Sequence, residues 1–145
     1  MKSRFVDKGE LKKLRHAITD DAFLPLLLSL ETGLRIGDIV NLKVKDVKPD
    51  GIHYTASKTK KKGVAEISAA TRKKLPKKGK WLFPSPYKPD KHLIRQAVWD
   101  RIKKAGERAG LDLEGLSPHA MRKAFAVELY REKGFKAVQE ALQHT

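Results

Sequence analysis

The side chains of this sequence whose types suit a phosphodiester are two arginines, two histidines and a lysine. They are Arg35, a lysine in the run over residues 58–63, His119 with Arg122, and His144. Arginine forks donate paired hydrogen bonds to non-bridging phosphate oxygens, and they stabilise most strongly the charge that grows in a pentavalent transition state. A lysine or protonated histidine can deliver a proton to the departing oxygen. His119 and Arg122 are spaced i, i+3, so on a helix both project from one face near its start. Asp38 stands three residues after Arg35, where a carboxylate can brace the guanidinium. Taken alone, that spacing fits equally a surface Arg–Asp pair between two packed helices.

These residues need a scaffold, and hydrophobic spacing supplies one that is mostly helical. Asp7 and Glu10 form a capping-box pattern before Leu11, Leu14 and Ile18. Thr19 and Asp20 cap a buried helix over residues 22–30, which Pro25 is expected to bend. Gly33 should end that helix in a left-handed conformation, and a second helix carrying Ile36, Ile39, Val40 and Leu42 then begins at Arg35, near free backbone N–H groups. Alternation over residues 52–57 predicts a strand, residues 58–63 a polar turn, and residues 64–68 the returning strand. A short helix over 69–75 and a basic loop over 76–80 follow. Trp81 to Phe83 is either a third short strand or an apolar plug before Pro84, Pro86 and Pro89. From Asp90 onward, Ile94, Ala97, Val98, Ile102, Ala105 and Ala109 mark one helical stripe ended by Gly110. Ser117 and Pro118 open a helix from His119 to about Lys133, and residues 135–143 resume with Phe135, Val138 and Leu142. The expected fold is mainly α, a single domain over residues 1–145, with a small antiparallel β-hairpin at one edge.

The charge balance narrows the partner. Lys and Arg total 32 against 17 Asp and Glu, a net charge of +15, which implies a polyanion or, less well, an anionic membrane surface. The basic runs, with Lys60, Lys61, Lys62, Lys77 and Lys78 among them, are either solvated segments or phosphate clamps, and the net charge favours clamps. No apolar run is long enough for a membrane span and no signal peptide is indicated, so a cytoplasmic chain is expected. The histidines show no metal-binding spacing and cysteine is absent, so no metal site is expected.

At this point the sequence resembles the catalytic domain of the tyrosine recombinases, the phage-integrase family of site-specific DNA recombinases. TGLRIGDIVNLKVKDV is similar to the family's first arginine box, with Arg35 in the catalytic place and Asp38 at the accompanying acidic position. SKTKKKG resembles the hairpin-lysine motif, placing that lysine at Lys58, with Lys60 the alternative. SPHAMRKAFA resembles the H-x-x-R box, giving His119 and Arg122, and ALQHT the final motif, giving His144, with Gln143 in place of the usual glycine. The resemblance covers essentially the whole chain, and the motifs stand in family order.

It implies that a tyrosine hydroxyl attacks a DNA phosphate to give a 3′-phosphotyrosine and a free 5′-hydroxyl, without metal, nucleotide or other small-molecule cofactor. The implied setting is prokaryotic or phage-encoded, and the implied partners are double-stranded DNA and other recombinase protomers. The family's nucleophile lies shortly beyond the last histidine, whereas Thr145 alone follows His144. Tyr130 would stand roughly 16 Å along the helix from His119 at about 1.5 Å per residue, too far for attack. Tyr54, Tyr87 and Tyr130 are therefore expected to be packing residues. On this reading the chain is a catalytic domain without its amino-terminal core-binding domain and carboxy-terminal tyrosine segment, able to bind phosphate but not to cleave. The alternative is a basic DNA-binding module or regulator related to recombinases.

Overall fold

An almost wholly apolar stretch forms helix α2, Asp20–Thr32, and the remaining elements are laid around it. Leu26, Leu28 and Leu30 are all fully buried, so the helix is apolar on more than one face and sits inside the domain. The computed structural model describes residues 8–111 and 122–127. Helix α1, Lys8–Ala17, packs on α5, Arg95–Arg108, and α5 packs in turn on α2 and on α3, Ile36–Val40. Pro25 lies inside α2 and is fully buried. Thr19 is the N-cap of α2, but its hydroxyl bonds the Asp21 carboxylate and caps no backbone N–H, a correction to the expected cap.

Gly33 ends α2 as expected, with φ 80° and its N–H donated to the Ser29 carbonyl at 2.9 Å. The turn is tied further by the buried Ser29 hydroxyl on the Leu34 carbonyl and by the Thr32 hydroxyl on the Leu28 carbonyl at 2.7 Å. The chain leaves this turn in one fixed direction, with Arg35 as the N-cap of α3. That helix is only five residues long, because Leu42 leaves it and a 3-10 turn, Val44–Asp46, follows.

The sheet has three antiparallel strands in the order β1-β2-β3: β1 is Val47–Lys48, β2 Gly51–Thr55 and β3 Lys62–Ala65. The first of these is a strand where the sequence suggested only the end of a motif. The hairpin register also differs from expectation. Thr55 pairs with Lys62 and Tyr54 with Gly63, so the turn covers residues 56–61, two residues earlier than expected, and the returning strand begins two residues earlier with it. The turn closes because Ala56 donates to the Lys61 carbonyl at 2.8 Å while Lys60 takes a left-handed φ of 60°. Gly63 belongs in the strand because the Tyr54 ring covers it: a Cβ there would sit 2.5 Å from the Tyr54 hydroxyl.

Helix α4, Ala69–Lys74, starts at Ser68, whose hydroxyl accepts from the Thr71 N–H. Leu82 and Phe83 are buried as a plug flanked by the isolated bridges Lys43–Trp81 and Pro84–His92. Helix α5 starts later than the apolar stripe suggested. Leu93 donates to the Phe83 carbonyl at 2.7 Å and Ser85 to the Lys91 carbonyl at 2.8 Å, so residues 91–93 are held in extended pairing. Ile94 is consequently the N-cap and 59% exposed, outside the buried stripe. Residues 122–127 are helical, and Phe125 and Ala126 are buried there. The Phe125 ring meets Phe23 of α2 at 5.8 Å between centroids. Asp7, the remainder of the expected helix 119–133 and the segment 135–143 lie outside the described residues.

Candidate active site

Arg35 stands at the start of α3 with its side chain exposed, fixed in direction by the glycine turn behind it. Arg122 reaches the same region from the far end of the chain, through the Phe23–Phe125 contact that docks residues 122–127 on α2. Its guanidinium is half-buried and held below the usual arginine value, first by burial and second by the positive charge of Arg35. Like charges are not brought together in a fold without a cost.

Asp38 departs from its expected role. Its Oδ1 accepts the Ser57 N–H at 3.1 Å, and among the described residues it makes no ion pair with Arg35. The carboxylate thus ties α3 to the hairpin turn one residue before Lys58 and so holds the lysine's segment beside the arginine helix. Lys58 itself is exposed. His119 and His144 lie outside the described residues. Arg122 thus feels the charge of Arg35, and the Asp38–Ser57 bond ties the lysine turn to α3.

Lys60, Lys61, Lys62, Lys77 and Lys78 are all exposed. Tyr54 is half-buried against the core, as a packing residue should be, whereas Tyr87 is 91% exposed in the proline loop, a second correction. Three relationships were missed in the sequence. Arg95 reaches over α3, with its Cδ 4.0 Å from where a Gly37 Cβ would lie, adding an exposed cation two residues from Arg35. Glu31, on the other side of Arg35, is buried and accepts from the Ser68 N–H and the Thr71 hydroxyl. A lone acid closing an apolar helix was the available signal for it. Finally, a cavity of about 510 Å3 between α3 and the hairpin is lined by Asp38, Lys43, His53, Tyr54 and Lys62 among others, but by neither Arg35 nor Lys58. Arg35 and Lys58 are exposed, whereas Arg122 is half-buried.

Among the described residues no group of three or more His, Asp or Glu side chains could hold a metal ion, and no helix is long and apolar enough to cross a membrane.

The sequence profile of the Phage integrase family matches residues 4–145, and the chain belongs to that family. It is 30% identical over 166 aligned residues to the tyrosine recombinase XerD of Agrobacterium fabrum, covering 94% of this chain and 47% of XerD. The chain thus spans about half the length of that relative. Among solved structures, the catalytic core of lambda integrase matches with a TM-score of 0.69 at 23% identity, over 99% of this chain and 92% of the core. A lambda integrase tetramer bound to a Holliday junction matches with a TM-score of 0.72 at 22% identity, over 100% of this chain and 48% of that one. The fold is that of a tyrosine-recombinase catalytic domain: helix-rich with a small three-stranded antiparallel sheet.

Proposed function

We propose that this is the phosphate-activating domain of a site-specific DNA recombinase. The observation that carries the reading is the charge of Arg35 felt by the half-buried Arg122, an arrangement that suits one shared phosphate. In the proposed reaction a tyrosine oxygen forms a bond to phosphorus as the bond to the 5′ oxygen breaks, leaving a 3′-phosphotyrosine. Arg35 and Arg122 hold the non-bridging oxygens, and Lys58 gives its proton to the departing 5′ oxygen. His119, three residues before Arg122, and His144 complete the set by their motif positions. The phosphotyrosine conserves the bond energy, so no metal or nucleotide is required. Tyr54 does not serve as nucleophile, since its hydroxyl lies over Gly63. The exposed Lys60, Lys61, Lys62, Lys77 and Lys78 are assigned to the DNA backbone.

Double-stranded DNA and further recombinase protomers are the proposed partners, supported by the family and by the net charge of +15. The test is covalent trapping on a nicked duplex by the full-length protein carrying this domain. Wild type should give a gel-stable adduct, and Arg35→Ala or Arg122→Ala should abolish it while weakening binding only modestly. Adducts surviving both substitutions would overturn the roles given to the two arginines.

A further inference from the structure

Glu31 carries no role in the reaction just proposed, yet it is 5% exposed and fully engaged. Its Oε1 accepts the Ser68 N–H and its Oε2 accepts the Thr71 hydroxyl at 2.6 Å. A carboxylate is costly to bury, and it is retained here by donors from a segment 37 and 40 residues away. Ser68 is where the chain leaves β3 and enters α4. Asp38, meanwhile, holds Ser57, where the chain leaves β2 and enters the lysine turn.

The two acids bracket Arg35 in sequence, Glu31 four residues before it and Asp38 three after. They bracket the hairpin's outer half in space, one at each end of residues 57–68. That half needs holding. Among the described residues β3 pairs only with β2, as the edge of the sheet, and between the clamps stand the turn lysines and the left-handed Lys60.

We infer that Glu31 is a positioning residue for Lys58, the second of two carboxylate clamps that fix the lysine turn against the segment carrying Arg35. The inference rests on the reading of Lys58 as the proton donor. A clamp at one end alone leaves the edge strand free to shift, and a displacement of about 1 Å at a reacting group can cost roughly 100-fold in rate. The bland alternative is that Glu31 only caps α4 and steadies the domain.

Two measurements separate these. In the 145-residue chain, amide hydrogen exchange is followed in wild type, Glu31→Gln and Glu31→Ala. The clamp predicts exchange faster by about 10-fold at residues 57–62 as well as at Ser68, with the α5 amides unchanged. Acceleration confined to residues 68–71 would overturn the inference, and so would uniform acceleration that includes α5. In the full-length protein, single-turnover cleavage is compared on an ordinary phosphodiester and on one whose bridging 5′ oxygen is replaced by sulfur, a leaving group that needs no proton. Lys58→Ala should lose about 100-fold on oxygen and regain most of it on sulfur. Glu31→Gln should show the same selective rescue after a smaller loss of about 10-fold. A Glu31→Gln loss equal on both substrates would overturn the positioning role. If Lys58→Ala itself is not rescued by sulfur, the proton-donor reading fails instead, and the exchange result still decides whether Glu31 holds the turn.

Discussion

Arg35 and Arg122 lie near enough that the charge of the first lowers the proton affinity of the second, although α3, the sheet, α4 and α5 stand between them in sequence. The half-buried Arg122 is also disfavoured by its own desolvation, the larger of the two effects. A base depressed in the fold weakens the folded state while it is charged, and that cost is relieved only as pH rises through its folded-state value. For arginine this lies beyond any working pH, so an anion is the practical relief. Sulfate or phosphate, compared with chloride at equal ionic strength, should raise the melting temperature. At ten times the dissociation constant the gain is about 1.4 kcal/mol, or roughly 4 °C for a chain of this size. Arg35→Gln should abolish the sulfate increment without lowering the melting temperature in chloride, which calorimetry can check.

Asp38→Ala removes the acceptor of the Ser57 N–H and should destabilise the domain by about 1–2 kcal/mol in urea titrations. Asp38→Asn keeps an acceptor oxygen and should cost less. Because Asp38 bonds the hairpin, a double-mutant cycle between Asp38→Ala and Arg35→Ala should close within about 0.5 kcal/mol. A larger coupling energy would restore the arginine-bracing role that the spacing suggested.

The turn between β1 and β2 holds a titratable contact. His53 Nε2 lies 2.8 Å from Asp50 Oδ1, and this hydrogen bond is the main reason the Asp50 carboxyl sits below its ordinary range, against a smaller opposing effect of desolvation. A depressed carboxyl contributes stability above its unfolded-state value and loses it as pH falls through the folded-state value. Carbon-detected NMR titration should therefore place the Asp50 midpoint below that of a free aspartate, and His53→Ala should move it back upward.

The glycines separate by what a methyl group would meet. Gly51 has φ 136°, and a Cβ there would lie 2.5 Å from the Ala65 carbonyl oxygen, which is backbone and cannot move aside cheaply. Gly51→Ala should cost about 3 kcal/mol, from strain and overpacking together. Gly37 lies in α3 and, among the described residues, has only the Arg95 side chain nearby, at 4.0 Å. Gly37→Ala should be neutral or stabilising by about 0.5–1 kcal/mol. Thermal melts of the two variants test both statements.

Local chemistry was readable from the residues, and long-range chemistry was not. The Gly33 cap, α2, α4 and the hairpin follow from apolar spacing and turn residues, and Arg35 was placed at its helix start by the same means. The bond from Asp38 to Ser57 was not legible because spacing along a helix offers only near partners, whereas the Ser57 backbone stands 19 residues away. Gly63 read as a turn residue because the Tyr54 ring that requires its smallness lies across the strand pair. The stripe from Ile94 overestimated α5 because hydrophobic period is blind to backbone donors already committed, such as the N–H of Leu93. Glu31 escaped notice for the same reason as Asp38: its donors stand far along the chain.

The Phe23–Phe125 contact has a consequence for synthesis on the ribosome. A nascent chain that has emerged only as far as α5 already displays Arg35 and the lysine turn but cannot yet seat the second guanidinium. Until Phe125 reaches Phe23, the growing polypeptide is a cationic surface without a vice, and stray polyanions meet charge without grip. Vectorial assembly would thereby keep Arg122 from joining Arg35 until the segment that carries Phe125 has left the exit tunnel.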